Sequence, residues 1–418
     1  MNSLFRYALP VAGACALAAA DVNLADGISA SEAVDLALRR SPRLLVLHRA
    51  KAVEEGGVAA AKILPDPEIR TGRFDFDDDS GRIWSQNYSV SLRWSPPRPG
   101  ERSLKGESAQ GKVSEAAARI ALGEQQLATQ VRLLHMDVVF LDEQIRLAEA
   151  SVRIHERIVE FLAAQVASGV KTALDQSTAE LELAEARALV ARARLDRRLA
   201  SARLARELGL PRSEDVSIQA DEELLRFAPR QYDAVELTET ALARRPELAA
   251  LAARCTQAGA ALDMRKQERY PWLSFAQVSR ELGGPGNLNT WGVRVGIDLP
   301  VFKWTSALLQ GPKAELDQCR TEVEAERTRI GLEVEELLER LRARSRELEY
   351  LRENVEPVFA QAVEQAERAI AVGQADQERR LAAEARLLAQ RQSQLSRLHD
   401  YRRLEIELDQ ALGAAVSP

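Results

Sequence analysis

Between Gly100 and Thr172 the chain has no proline, and its apolar residues recur at alternating spacings of three and four. Ile120, Leu127, Val131, Leu134, Val138, Leu141, Ile145, Ala148, Val152, Val159, Leu162 and Val166 fall on that grid, which only Glu124 and His155 break. Such a seam predicts one long helix packed on its neighbours with coiled-coil geometry. At 1.5 Å per residue, roughly 70 residues make a rod on the order of 100 Å long, so the molecule is expected to be elongated. Ile330, Val334, Leu337, Leu341, Leu348, Leu351, Val355 and Val358 predict a second long helix, looser in fit because Arg344 stands on its grid.

A period of two precedes each rod. Glu68–Asp77 is strand-like, with Phe74 and Phe76 alternating against Asp75 and Asp77. After an acidic, glycine-containing turn, Trp84, Gln86, Tyr88, Val90, Leu92 and Trp94 share one face; Ser85, Asn87, Ser89, Ser91 and Arg93 share the other. The later strand has Trp291, Val293, Val295, Ile297 and Leu299 opposite Gly292, Arg294, Gly296 and Asp298. Ten residues span roughly 33 Å along a strand. Tilted by about 40°, they cover about 25 Å of height, the apolar band of an outer-membrane barrel. Trp84 and Trp94 would mark the edges of that band, with Trp272 and Trp291 as anchors in the later hairpin. The plainer reading is a pair of solvent-exposed hairpins with one packed face. Four strands cannot close a barrel, and open edges are not tolerated in hydrocarbon. The membrane reading therefore requires several chains; three would supply twelve strands.

The plan occurs twice. Ala37–Leu44 matches Ala241–Leu248 at an offset of 204 residues, and Gly169 matches Gly373 at the same offset. Leu204 through Gly209 is repeated at Leu408 through Gly413. The resulting division is a signal peptide at 1–25, a first repeat at 26–211, a connector at 212–233 and a second repeat at 234–418. The first repeat holds a helix running from Ile28 to about Ile63, a hairpin at 68–95, a long helix at 101–168 and a helix at 172–208. The second holds a helix, a hairpin at 272–299, a long helix at 305–372 and a helix at 376–412.

Composition narrows the classes. The chain is 29% charged with a net charge of −6 and no basic block, which argues against nucleic acid. Arg6 and the apolar run Leu9–Ala20 read as a secretory signal, too short to span a membrane. Cys15 lies inside it; a lipoprotein site there would place Ala12 where leucine is usual. His48, His135, His155 and His399 are dispersed, so neither a metal site nor a cofactor is expected. No nucleophile triad or phosphate loop stands out, and an enzyme is the least supported class.

The chain resembles the TolC-type outer-membrane efflux family over essentially its whole mature length. The resemblance rests on Glu32-Ala-Val-Asp-Leu-Ala-Leu38 with Ser41-Pro-Arg-Leu44, Leu64-Pro65 before the first strand, Ser168-Gly-Val-Lys-Thr-Ala-Leu-Asp175, and Arg206-Glu-Leu-Gly209. The segment Leu64–Ile69 looks more like the heavy-metal branch. The resemblance implies a mostly α fold with a membrane β-barrel: a homotrimer with a twelve-strand β-barrel in outer-membrane lipid on a long α-helical barrel. It also implies a periplasmic adaptor and an inner-membrane efflux pump as partners. The helix turns at Gly169 and Gly373 would form the periplasmic tip. Where the family carries its tip acid, this chain has Arg379. Asp175, and after it Asp376, are the acids placed to form a ring, with a plain capping acid as the alternative. Cys255 lies 16 residues before Pro271, and Cys319 lies 19 after Pro300. On antiparallel helices below one hairpin they reach roughly 24 and 28 Å depth, which permits a disulfide. Type I protein secretion is the rival within transport; a periplasmic coiled-coil scaffold or adaptor is the rival from another class.

Overall fold

The computed structural model describes residues 27–77, 83–210, 217–219, 221–283, 289–371 and 377–413. The signal segment with Cys15 lies outside them, as do Gly373 and Asp376 and the side chain of Trp84. Helix α1 (Ala30–Arg40) starts on a reciprocal cap: the Ser29 hydroxyl accepts from the Glu32 amide, and the Glu32 carboxylate accepts from the Ser29 amide at 2.9 Å. The first helix does not run unbroken to Ile63. Ser41 ends α1 in an extended conformation and caps α2 (Pro42–Ala61), which has Pro42 in its first turn. A proline there lacks only an amide that would be unpaired anyway, but it cannot continue the helix before it.

The same break separates α5 (Ala234–Arg244) from α6 (Pro246–Gln267), each starting 204 residues after its counterpart. Arg245 stands in place of the capping serine. Its buried guanidinium donates to the Ala411 carbonyl at 2.6 Å and to Glu333 at 2.9 Å. It thereby ties the break to the rods beside it.

Helix α3 (Glu101–Ala167) is the predicted rod, and α4 (Ala173–Glu207) returns along it. Their counterparts are α7 (Ala307–Tyr350) with α8 (Glu356–Ala371), and α9 (Gln377–Ala411). The second rod departs from the expected continuous helix. Residues Leu351–Val355 form a π turn, closed by the Glu356 amide reaching back to the Leu351 carbonyl. Pro357 explains it: the ring has no amide to offer the Glu353 carbonyl and clashes with it, so the preceding turn widens. Past this point the seam leaves the core. Leu348 is buried, whereas Val358 is 62% exposed.

All three apolar clusters draw on α3. Leu127 and Val131 pack with Val34, Leu44 and Leu204; Met136 and Phe140 with Leu338, Leu341 and Tyr401; Leu147 and Ile154 with Leu388. The last four α3 residues lie off the predicted grid. They are buried because α9 covers a second face of the rod.

Strands β1 (Glu68–Asp77), β2 (Ile83–Trp94), β3 (Trp272–Gly283) and β4 (Thr290–Asp298) form one antiparallel sheet in chain order. The two repeats join through β2 and β3. Below the sheet, Ile28 pairs with Ile218 in a parallel bridge and accepts a hydrogen bond from Gln219.

The Ile28 carbonyl also lies 3.1 Å from Nε2 of His135, whose buried Nδ1 has no partner. Burial holds this imidazole below its usual range, against smaller upward pulls from the Ile28 carbonyl and from Asp221. Unfolded, the ring titrates near about 6.5 and takes up a proton that the buried ring refuses. Its contribution to stability is therefore present above about pH 6.5 and is lost as pH falls toward the depressed folded value. Urea midpoints at pH 7.5 and 5.5 are expected to show a larger acid loss in the wild type than in His135→Gln. Equal losses would refute this.

Candidate functional site

Strands β2, β3 and β4 share a largely apolar face, to which β1 adds the Arg73–Asp75 ion pair beside Tyr88. On it, Tyr88, Val90 and Leu92 of β2 lie beside Val278 and Leu282 of β3 and Trp291, Val293, Val295 and Ile297 of β4, all exposed. The other face is polar. Arg70 donates to Glu68 at 2.7 Å, Arg294 lies 3.5 Å from Glu281, and Ser91 and Ser279 are buried. The Arg93 guanidinium stacks 4.0 Å above the Phe275 ring on this face. Gly296 makes that possible, since a Cβ there would sit 2.3 Å from the ring. Among the described residues, β1 and β4 each pair on one side only.

The four tryptophans expected at the membrane edges do not behave alike. Trp94 lies on the apolar face, and its Nε1 donates to the Pro65 carbonyl at 3.0 Å, tying the strand to the chain entering β1. Trp291 is exposed on the same face, with the Arg280 guanidinium 5.3 Å from its ring. Trp272 is on the other face. It pairs with Asp298, and the register slips between Leu273 and Phe275, leaving Ser274 as an extra residue. A bulge reverses the alternation below it. Trp272 instead donates to the Pro96 carbonyl at 3.0 Å, clamping the two hairpins at their base. For Trp84 only the backbone, in β2, is described.

At the opposite end, Gly169 ends α3 with φ +77°; Val170 donates to the Gln165 carbonyl and Gly169 to that of Val166. This is a left-handed helix cap that glycine adopts at no steric cost. Asp175 is the capping acid of α4. Its carboxylate accepts from the Thr172 hydroxyl at 2.7 Å and the Thr172 amide at 2.9 Å, and these bonds lower its pKa. Arg379 is exposed in the first turn of α9.

Sequence reading missed the contacts that close this end. Lys171 lies 3.0 Å from Glu378, and Arg157 lies 3.3 Å from Glu384, which Arg380 also approaches at 3.1 Å. They tie the α3–α4 turn to the start of α9. Opposite charges 207 and 227 residues apart, off the repeat offset, carry no periodic signal. His155, on the seam, lies 3.7 Å from Glu182 across the α3–α4 interface.

Cys255 on α6 and Cys319 on α7 are joined by a disulfide, with their Cα atoms 5.6 Å apart. The same helices carry the β3–β4 hairpin between them.

Residues 34–210 and 237–414 match the model of the outer membrane efflux protein family. The chain belongs to the outer membrane efflux protein family. The two matched stretches coincide with the two structural repeats. Among its relatives is the cobalt-zinc-cadmium resistance protein CzcC of Cupriavidus metallidurans, 26% identical over 281 residues. That match covers 65% of this chain and 63% of the relative, so the chain spans under two thirds of the relative's length. The VceC outer membrane protein of Vibrio cholerae has the same fold, with TM-score 0.74 at 16% identity, covering 93% of this chain and 97% of that one. CusC gives TM-score 0.71 at 16% identity and 92% coverage of both chains. The open state of the Neisseria gonorrhoeae MtrE channel gives 0.73 at 19%, covering 93% and 89%. As a member of this family the protein is assigned to the outer membrane. No helix among its described residues is long and apolar enough to cross a membrane. Among the described residues, the broad apolar strand face is that of the exposed sheet.

Proposed function

We propose that three copies of this chain form a passive exit duct for a tripartite efflux system. One observation carries the reading: among the described residues a broad, largely apolar strand face is exposed, on a sheet whose two edge strands each pair on one side only. Unpaired strand groups are too costly in lipid, so β1 of one subunit would pair with β4 of the next and close twelve strands around a wet lumen. A second surface supports the assembly. Leu174, Leu181, Leu189, Leu195 and Leu199 form an exposed apolar stripe along α4 that a neighbouring subunit would cover.

A duct of this kind hydrolyses nothing itself; pump and adaptor supply the energy and open the tip. The tip ion pairs between Lys171 and Glu378 and between Arg157 and Glu384 are placed to hold the helix turns together. Glu378→Lys is expected to raise single-channel conductance in planar bilayers severalfold, and Lys171→Glu combined with it to restore the closed level. Equal conductance in all three proteins would remove these pairs from the gate. The cargo is a divalent metal ion by analogy with the named resistance relative. Loss of cobalt, zinc or cadmium tolerance on deletion of the gene would support this. Drug sensitivity alone would refute it.

The assembly itself is tested by purification. The mature protein is expected in outer-membrane fractions, soluble only in detergent and trimeric on unheated gels. A monomer soluble without detergent would point instead to the periplasmic scaffold class.

A further inference from the structure

Residues 221–227 lie strapped across α9. Buried Arg402 holds them there, donating to the carbonyls of Glu223 at 2.7 Å and Arg226 at 2.6 Å. Beside the strap, α3, the π turn and α9 line a half-open cavity of about 660 Å³, with Arg153, Arg352 and Arg391 exposed at its mouth. Its apolar wall includes Leu348, Leu388 and Leu398, all buried. The polar part is dominated by one sign of charge. Arg146 and Arg153 come from α3, Arg226 from the strap, Arg352 from the π turn and Arg391 from α9, against the carboxylates of Glu143 and Glu356.

The arginines are unequally neutralised. Glu143 engages Arg146 at 2.7 and 2.5 Å, and Glu222 engages Arg226 at 3.0 Å. Arg352 has Glu353 only at 3.9 Å, and its guanidinium lies 5.7 Å from the Phe227 ring. Arg153 and Arg391 have no ion pair or hydrogen bond among the described residues. The buried amide nitrogen of Gln394, on the same wall, also lacks a partner. Donors without acceptors thus converge from separate helices on a space large enough for a small ligand.

We propose that this cavity binds a small multivalent oxyanion, a polycarboxylate or a polyphosphate, through Arg153, Arg391 and Arg352. Planar guanidinium forks match carboxylate and phosphate oxygens bidentately, and one ligand can satisfy several of them. The occupied site braces α3 against α9 and the π turn, at the level where the second rod leaves the core. π turns recur at functional sites, and this rod has its π turn where the first repeat has plain helix.

Binding is read on the purified full chain whether or not it conducts, so its failure is distinct from failure of the duct reading. Calorimetric titration and thermal unfolding in detergent are carried out with citrate, pyrophosphate and sodium chloride at matched ionic strength. Citrate or pyrophosphate is expected to raise the unfolding midpoint above that in chloride. Preference for citrate identifies the carboxylate source, and preference for pyrophosphate the phosphate source. Arg153→Gln with Arg391→Gln is expected to weaken binding about tenfold or more, the loss of charged hydrogen bonds. Each single variant should weaken it in part, so the test survives if the double variant does not fold. Arg198→Gln, exposed on α4 away from the cavity, should leave binding unchanged. Equal midpoints in all three salts, or undiminished affinity in the arginine variants, would overturn the site.

Discussion

Serine at both Cys255 and Cys319 is expected to destabilise the hairpin end of the second repeat by about 4 kcal/mol, the chain entropy regained when a loop of this size opens. The bond closes a loop with a sequence separation of 64 residues, which contains the whole β3–β4 hairpin and the ends of α6 and α7. The first repeat is an internal control. Lys51 and Glu115 stand 204 residues before the two cysteines, so its hairpin carries no such bond. Hydrogen exchange should accordingly show protection lost in α6, β3, β4 and the start of α7, and retained in α2, β1 and β2. Reduction of the wild type should reproduce the pattern. Uniform loss over both repeats, or none, would show that the bond does not hold this hairpin independently.

Val293→Arg is expected to cost about 2–4 kcal/mol in each subunit if β4 lies near the middle of an outer-membrane bilayer. Val293 is 75% exposed on the apolar face, opposite Val278. Gln277→Arg, on the polar face opposite Arg294, should change stability by about 1 kcal/mol or less, because that face is wet in the duct reading. Recovery of folded trimer from outer membranes separates the two variants. Similar yields for both would mean that the apolar face does not meet lipid.

The charged surface of the rods offers much less. Arg194–Glu149, Arg187–Glu156 and Arg197–Asp142 form a ladder between α3 and α4 at 2.6–3.1 Å. Exposed pairs of this kind contribute roughly 0–1 kcal/mol each and less in salt. Arg245 differs because it is buried among Ala411, Glu333 and Glu247, and there the charge has no water to fall back on.

Much of this protein is determined by its sequence alone. A period of three and four, a period of two and a repeat offset of 204 reveal two long rods, two hairpins and their duplication. The residues that set those periods face a neighbour within the same element's reach, so the pattern is local. The caps at Ser29, Thr172 and Gly169 are local in the same way. The π turn before Pro357 was not expected, because the seam around it reads as one continuous helix.

Only the tertiary structure decided the rest. Nothing local says that α9 would cover a second face of α3 and bury Met136, Phe140, Leu147 and Ile154 off the grid. The bulge at Ser274 reversed the alternation and turned Trp272 away from Trp291. Asp175 was legible as an acid near the tip, but its two hydrogen bonds to Thr172 show that its carboxylate is engaged in capping α4. The pairs Lys171–Glu378 and Arg157–Glu384 join residues 207 and 227 positions apart, and the arginines around the cavity come from four separate segments. Which charges meet depends on how the two repeats are packed on one another. That packing is a property of the folded chain and has no period to read.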